Sequence, residues 1–201
     1  MTSTSPRHPR RTRKALAALA ATSIAFAVLT GTATTATAEE PAEAGQEQFR
    51  PQFHFSPEKN WMNDPNGMVY VDGVYHLYYQ HNPEGTRWGN MSWGHATSTD
   101  LMHWEEQPLA LPQTFDDSGV AIEDIFSGSI VVDETNSSGF GPGDKPPRVA
   151  IYSSAYTQDR QPHPGIQSHS HAYSNDGGYT WPKHEGNPVY ARDSANFRDP
   201  K

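Results

Sequence analysis

The chain has 201 residues, enough for one domain of ordinary size, and it has no cysteine, which excludes disulfides and thiolate metal sites. Sixteen glycines, 17 prolines and 11% aromatic residues suit a turn-rich β protein with aromatic-lined pockets. Five of the 15 basic residues and none of the 23 acidic ones fall in the first 38 positions, so the rest carries ten basic against 23 acidic residues, a net of −13, which argues against nucleic acid as a partner and is compatible with a neutral sugar.

In chain order, residues 1–38 read as a signal peptide. Arg7, Arg10, Arg11, Arg13 and Lys14 form a basic start, Ala15 to Leu29 a modestly apolar run, and Ala36-Thr37-Ala38 a small-x-small cleavage pattern with the cut after Ala38. The apolar run is short and rich in Ala and Thr, which argues against a stable membrane span. Arg10-Arg11 also permits a twin-arginine route. The expectation is a secreted, extracellular protein with no membrane partner after cleavage. Residues 39–51 are expected to be a flexible lead-in, and residues 52–201 the folded domain. Phe53 and Phe55 alternate with polar neighbours, as in a strand edge or an arm packing on a core.

Trp61-Met62-Asn63-Asp64-Pro65-Asn66-Gly67 is the most specific string in the chain. Pro65 biases Asp64 towards an extended conformation, and Asn66-Gly67 is a turn signal. Asp64 is therefore expected at the rigid mouth of a strand with its carboxylate aimed. Next, Met68 to Val71 and Val74 to Gln80 flank Asp72-Gly73, a strong type I′ hairpin signal. Gln80 ends the second strand, where it can return to the mouth that holds Asp64. A loop carrying Trp88 follows, then a strand over Trp93 to Ser98. Leu111 to Glu123 reads as an acidic loop, and Ile125 to Val132, Val149 to Ser154 and Gln167 to Ser174 read as strands.

Ser98-Thr99-Asp100-Leu101-Met102-His103-Trp104 is echoed by Ser174-Asn175-Asp176-Gly177-Gly178-Tyr179-Thr180-Trp181. Each copy follows a strand ending in Ala-x-Ser, and the two serines lie 76 residues apart. That spacing suits one large blade of a β-propeller, with the tryptophan packed between blades. The second copy fits the Asp-box pattern of sialidases and other propellers, a structural turn rather than a site. No arginine constellation for a sialic acid carboxylate accompanies it.

Cleaving a glycosidic bond with retention needs two carboxyl groups close together. Asp64 is one carboxylate that could serve such chemistry, and Arg198-Asp199-Pro200 supplies a second. The adjacent guanidinium suits Asp199 to holding sugar hydroxyls and favouring positive charge rather than to giving up a proton. Glu123 and Glu185, read as loop carboxylates, are weak candidates for the acid. His169 and His171 share a strand face, and the pairs Asp116-Asp117 and Glu123-Asp124 are acidic, but ordinary surface accounts for both better than a metal site.

The seven-residue string resembles the nucleophile motif of glycoside hydrolase family 32, the invertases, inulinases and levanases. Arg198-Asp199-Pro200 resembles the family's second signature. Between them, Trp88-Gly89-Asn90-Met91-Ser92-Trp93-Gly94-His95-Ala96, Phe126-Ser127-Gly128-Ser129 and Asn187-Pro188-Val189 resemble further family blocks, and Phe53-His54-Phe55-Ser56-Pro57 resembles the lead-in. The likeness runs from Gln52 to Lys201 in the family's order. It implies an all-β, five-bladed β-propeller, here reduced to its first blades. It assigns Asp64 as nucleophile and Asp199 as transition-state stabiliser. It suggests Trp61, Met62, Asn63, Gln80, Trp88, Phe126, Ser127 and Arg198 as substrate contacts, with no metal or organic cofactor. The implied activity is hydrolysis of β-fructosyl linkages in sucrose, inulin or levan, through a fructosyl-aspartate. The family's third signature, Glu-Cys-Pro or similar, carries the general acid, and this chain has no counterpart of it. A fructosyltransferase on the same site and a non-catalytic fructan-binding remnant are the alternatives.

Overall fold

The computed structural model describes residues 47–51, 54–157 and 163–201. The expected signal peptide, most of the lead-in, Gln52 and Phe53 lie outside the described residues. Among those described there are two antiparallel sheets and no α-helix. The first sheet has the order β1 (Trp61–Val71), β2 (Val74–Asn82), β3 (Ser92–Ser98), β4 (Glu105–Leu111). The second has the order β5 (Thr114–Phe115), β6 (Ala121–Val132), β7 (Arg148–Tyr156), β8 (Gln167–Ser174), β9 (Tyr190–Ser194). Each is a meander, so neighbours in sequence are neighbours in the sheet, as in the blades of a propeller.

The Asp72-Gly73 hairpin forms as its chemistry requires. Val71 pairs with Val74, and both turn residues have positive φ, 51° and 90°. Asn66-Gly67, by contrast, does not reverse the chain. It lies inside β1, where the ladder to β2 slips between Met62 and Pro65 and again between Pro65 and Gly67. Pro65 has no N–H to give a ladder, so the strand bulges there instead of turning. Three other expectations change. β4, β5 and β9 were not marked by periodicity. β6 begins at Ala121, four residues before the expected start. Glu123 is consequently not on a loop: it is buried in β6.

The core lies between the sheets. Tyr78, Trp93 and Leu111 from the first sheet meet Ile125, Ala150, Tyr152 and Ala172 from the second, together with Trp181. A fully buried aromatic side chain removes roughly 150–250 Å² from water, worth about 4–6 kcal/mol as a gross upper figure. The expected repeat is a real structural repeat. The first copy joins β3 to β4 and the second follows β8, each after the third long strand of its sheet. In the second, Asp176 accepts from Tyr179 N, Thr180 N and Thr180 Oγ1, and Ser174 Oγ accepts from Gly178 N. In the first, Asp100 accepts from Met102 N and His103 N, and Ser98 Oγ from Leu101 N.

The repeat's tryptophans serve different neighbours. Trp181 donates to Gly178 O and packs edge-on to Tyr78 across the sheets, 5.4 Å between centroids. Tyr78 closes the same corner by donating to Gly178 O at 2.7 Å. Trp104 is half-buried against Phe55, which also packs on Tyr79, so Phe55 is indeed an arm on the first sheet. Arg50, in the described end of the lead-in, donates to Ser56 Oγ and to the carbonyls of Pro57 and Glu58 and pairs with Glu47.

Candidate active site

The strands that carry the chemistry face each other with bulges at corresponding places. β1 slips around Asp64, and β6 slips between Phe126 and Gly128, so that the β7 ladder skips Ser127. A bulge bends its strand and re-aims a side chain. Two glycines let this happen. A Cβ on Gly67 would come within 3.1 Å of Ile130 N, so its absence lets β1 approach β6. A Cβ on Gly128 would come within 2.0 Å of Ile151 O.

The result is a cleft of about 260 Å³ lined by Asn63, Asp64, Gln80, Trp88, Phe126, Ser127, Arg198 and Asp199. Eight of the ten residues expected at the site thus share one lining, drawn from β1, β2, the loop after β2, β6 and the segment after β9. The volume falls just below the roughly 300–1,000 Å³ of drug-sized pockets and suits a single sugar ring. A neighbouring recess of about 310 Å³ shares Asp64, Ser127 and Asp199 and adds Lys201. Trp61 and Met62 do not join the cleft. They precede the first bulge of β1 and line another recess with Arg50, Pro57 and Thr86.

Within the cleft, Ser127 Oγ donates to Asp64 Oδ2 at 3.0 Å. Arg198 Nε stands 3.7 Å from Asp199 Oδ2, and its Nη1 donates to Asn196 Oδ1 and Gln167 Oε1. Trp88 is 61% exposed and meets Phe126 edge-on at 5.9 Å. These rings form a wall that an apolar sugar face can cover. Gln80 is buried, and its Nε2 donates to Ile125 O at 2.9 Å.

Several side chains that sequence reasoning did not single out hold this lining in place. Asn82 Nδ2 donates to Arg87 O, while its Oδ1 accepts from Glu84 N and Asn90 Nδ2, which braces the Trp88 loop. Asp124 accepts from Met91 N and Gln113 Nε2, tying the far end of that loop to β6. Burial pushes the Asp124 carboxyl up, and those two donors oppose the shift. Asn66 is buried, and with its oxygen towards Gln80 and Trp93 its amide accepts from Gln80 N and Trp93 Nε1 and donates to Ser127 Oγ at 3.2 Å. Its place inside the Trp61–Gly67 string was the one signal in the sequence, hidden by the turn reading of Asn-Gly.

Neither weak candidate for the acid lines the cleft. Glu123 accepts from Thr114 Oγ1 and Ser154 Oγ and pairs with Lys183 Nζ at 2.9 Å. Glu185 is exposed between Trp181 and β9. Asp64 and Asp199 are the two carboxylates of the lining. His169 stacks on Phe197 and His171 meets Phe140 edge-on. No group of three or more His, Asp or Glu among the described residues could hold a metal ion.

Residues 54–201 match a family described as "Glycosyl hydrolases family 32 N-terminal domain". The chain is 52% identical over 179 residues to a levanase of Bacillus subtilis, covering 89% of this chain and 24% of the levanase. It is 51% identical over 166 residues to an extracellular exo-inulinase of Aspergillus niger, covering 76% of this chain and 31% of that protein. Among solved structures, an exo-inulinase of Aspergillus awamori superposes with a TM-score of 0.70 at 46% identity, over 77% of this chain and 32% of that one. A β-fructofuranosidase of Schwanniomyces occidentalis complexed with fructosyl-erythritol gives a TM-score of 0.65 at 46% identity, over 75% and 28% of the two chains. The chain therefore spans about a quarter to a third of the length of these relatives.

Proposed function

The chain belongs to glycoside hydrolase family 32, and from that premise we propose that it carries the nucleophile and the fructose pocket of a secreted enzyme that cleaves β-fructosyl linkages with retention. The observation that supports this best is the convergence of Asp64 and Asp199, 135 positions apart, on one sugar-sized cleft with an aromatic wall. Asp64 attacks the anomeric carbon as the glycosidic bond breaks, giving a fructosyl ester, and water then displaces the ester at the same carbon. Two inversions leave the configuration retained. Asp199 and Arg198 hold the ring's hydroxyls while positive charge grows at the anomeric centre. Trp88 and Phe126 supply the apolar wall, and Ser127 keeps one Asp64 oxygen hydrogen-bonded so that the other is free to attack.

The leaving oxygen needs a proton. The family's acid lies downstream of the Arg-Asp-Pro signature, in a part of the relatives that this chain does not span. On its own, the chain is expected to bind fructose and to turn over substrates roughly 10²–10⁴-fold more slowly than an enzyme with its acid in place. Sucrose, inulin and levan are the candidate substrates, matching the activities named for the relatives. A fructan-binding module without turnover is the second reading, since the same lining of Asp64, Asp199, Arg198 and the aromatic wall would hold a fructosyl ring with or without cleavage. Residues 1–38 are proposed as its export signal, and mass spectrometry of the secreted protein would find Glu39 at the new N-terminus.

The test is fructose release from sucrose, inulin and levan by the chain and by Asp64→Ala, alongside fructose binding followed by calorimetry. Slow release abolished in Asp64→Ala supports hydrolysis. Transfer of fructose to sugar rather than to water would mark a fructosyltransferase. Binding without release supports the module reading, and a folded chain that neither binds nor releases fructose would overturn both.

A further inference from the structure

Asp199 has a positive φ of 60°, a left-handed conformation uncommon for residues with a Cβ, although Asp tolerates it better than most. What holds it is Ser153 on β7. The Asp199 N–H donates to Ser153 Oγ at 2.8 Å, and the same hydroxyl donates onward to Ser127 O at 3.1 Å. Ser153 is fully buried and pairs with Phe126, the residue just before the bulge. Ser127, which the ladder skips, uses its own hydroxyl on Asp64 Oδ2. One unbroken path therefore runs from the Asp64 carboxylate through Ser127 and Ser153 to the Asp199 backbone. It links β1, the paired strands β6 and β7, and the segment after β9.

We propose that Ser153 is a positioning residue, a buried strut that sets the Asp199 segment against the Asp64–Ser127 pair without touching substrate. This rests on the reading that Asp64 and Asp199 act on one fructosyl ring. Such a strut matters because the Asp199 carboxylate is more than half exposed, with Arg198 Nε standing 3.7 Å from it. Its backbone must be fixed for its oxygens to meet the ring in register. A misplacement of about 1 Å at such a site can cost on the order of 10²-fold. A single hydroxyl that accepts from one segment and donates to the other is the smallest group that can do this. Alanine at 153 takes away the partner of the Asp199 N–H and of Ser127 O in a part-buried place.

The experiment uses the full chain and the variants Ser153→Ala, Asp199→Asn and the double variant. Ser153→Ala is expected to raise hydrogen exchange at the Asp199 amide at least tenfold while the β7 ladder amides stay protected. Fructose affinity, read by calorimetry, is expected to fall about tenfold in Ser153→Ala. The double variant is expected to bind no more weakly than Asp199→Asn alone, because Ser153 acts only through Asp199. A purely structural serine would give losses that multiply. Unchanged exchange at Asp199, or multiplying losses, overturns the proposal. If Ser153→Ala does not fold, Ser153→Cys takes its place, being close in shape but a weak hydrogen-bonding group. If the wild-type chain binds no fructose, the fructosyl reading fails while amide exchange still decides whether the strut exists.

Discussion

Lowering the pH from 7 to 4.5 should destabilise the fold through one buried imidazole. His95 sits on β3 at 1% exposure, stacked on Tyr78 and bonded through Nε2 to Nδ1 of His76 at 3.0 Å. Tyr179 meets both imidazoles edge-on. Burial is the main force holding His95 neutral down to about pH 3, His76 adds to it, and Asp176 weakly opposes it. In the unfolded chain the same imidazole takes its proton near pH 6.5. Between those values the unfolded state binds more protons, so stability falls as the pH falls through that window. Each unit is worth about 1.4 kcal/mol, so the drop from pH 7 to 4.5 costs roughly 2.5 kcal/mol from His95 alone. Burial, reinforced by Arg148, lowers His76 in the same direction. Against a total of about 5–15 kcal/mol for a typical domain, that is a large fraction. Urea unfolding of the chain at both pH values, followed by tryptophan fluorescence, gives the difference directly. His95→Gln keeps a hydrogen-bonding group for His76 but cannot titrate, so it should lose at least about 1.5 kcal/mol less over the same range. A variant that loses as much as the wild type would refute the assignment of this acid sensitivity to His95.

Three further outcomes follow from particular contacts. Gly128→Ala forces a Cβ onto Ile151 O and should cost at least about 3 kcal/mol, seen as a lower urea midpoint together with loss of fructose binding as the bulge at Ser127 moves. Lys183→Met leaves the buried Glu123 without its cation and should cost about 3–5 kcal/mol, whereas Glu123→Gln with Lys183→Met should recover most of that in the same unfolding assay. Trp88→Ala removes an exposed ring, so it should leave the urea midpoint within about 0.5 kcal/mol of wild type. Its fructose affinity, measured by calorimetry, should fall about tenfold, since a ring stacked on one sugar face is worth on the order of 1–2 kcal/mol.

Local chemistry wrote much of this protein legibly. Asp72-Gly73 between β-branched and aromatic runs forces a hairpin whatever surrounds it, because only such a pair accepts two positive φ values cheaply. The two Ser-x-Asp turns closing on tryptophan are also local, since their hydrogen bonds lie within seven residues. Asp64 and Asp199 could be singled out from strings of neighbours, and the likeness to a family carried their expected roles. The same local reading failed at Asn66-Gly67, where Pro65 and the pairing partner in β2 turned a reversal signal into a bulge. It also failed at Glu123, whose acidic neighbours suggested a loop although Lys183, 60 residues away, was its partner.

What only the tertiary structure decided is which residues meet. Sequence placed Trp61 and Met62 beside Asp64, yet the bulge parts them from the cleft. It gave no mark to Ser153, because a serine in a strand of serines and alanines is unremarked until β6 and the Asp199 segment come to lie on either side of it. A turn is set by the dihedral preferences of adjacent residues and can be read one window at a time. A site is set by hydrogen bonds and close packing between segments far apart in sequence, such as Ser127 with Asp64, 63 residues away, and Asp199 with Ser153, 46 away, and these exist only once both sheets have buried their faces against each other.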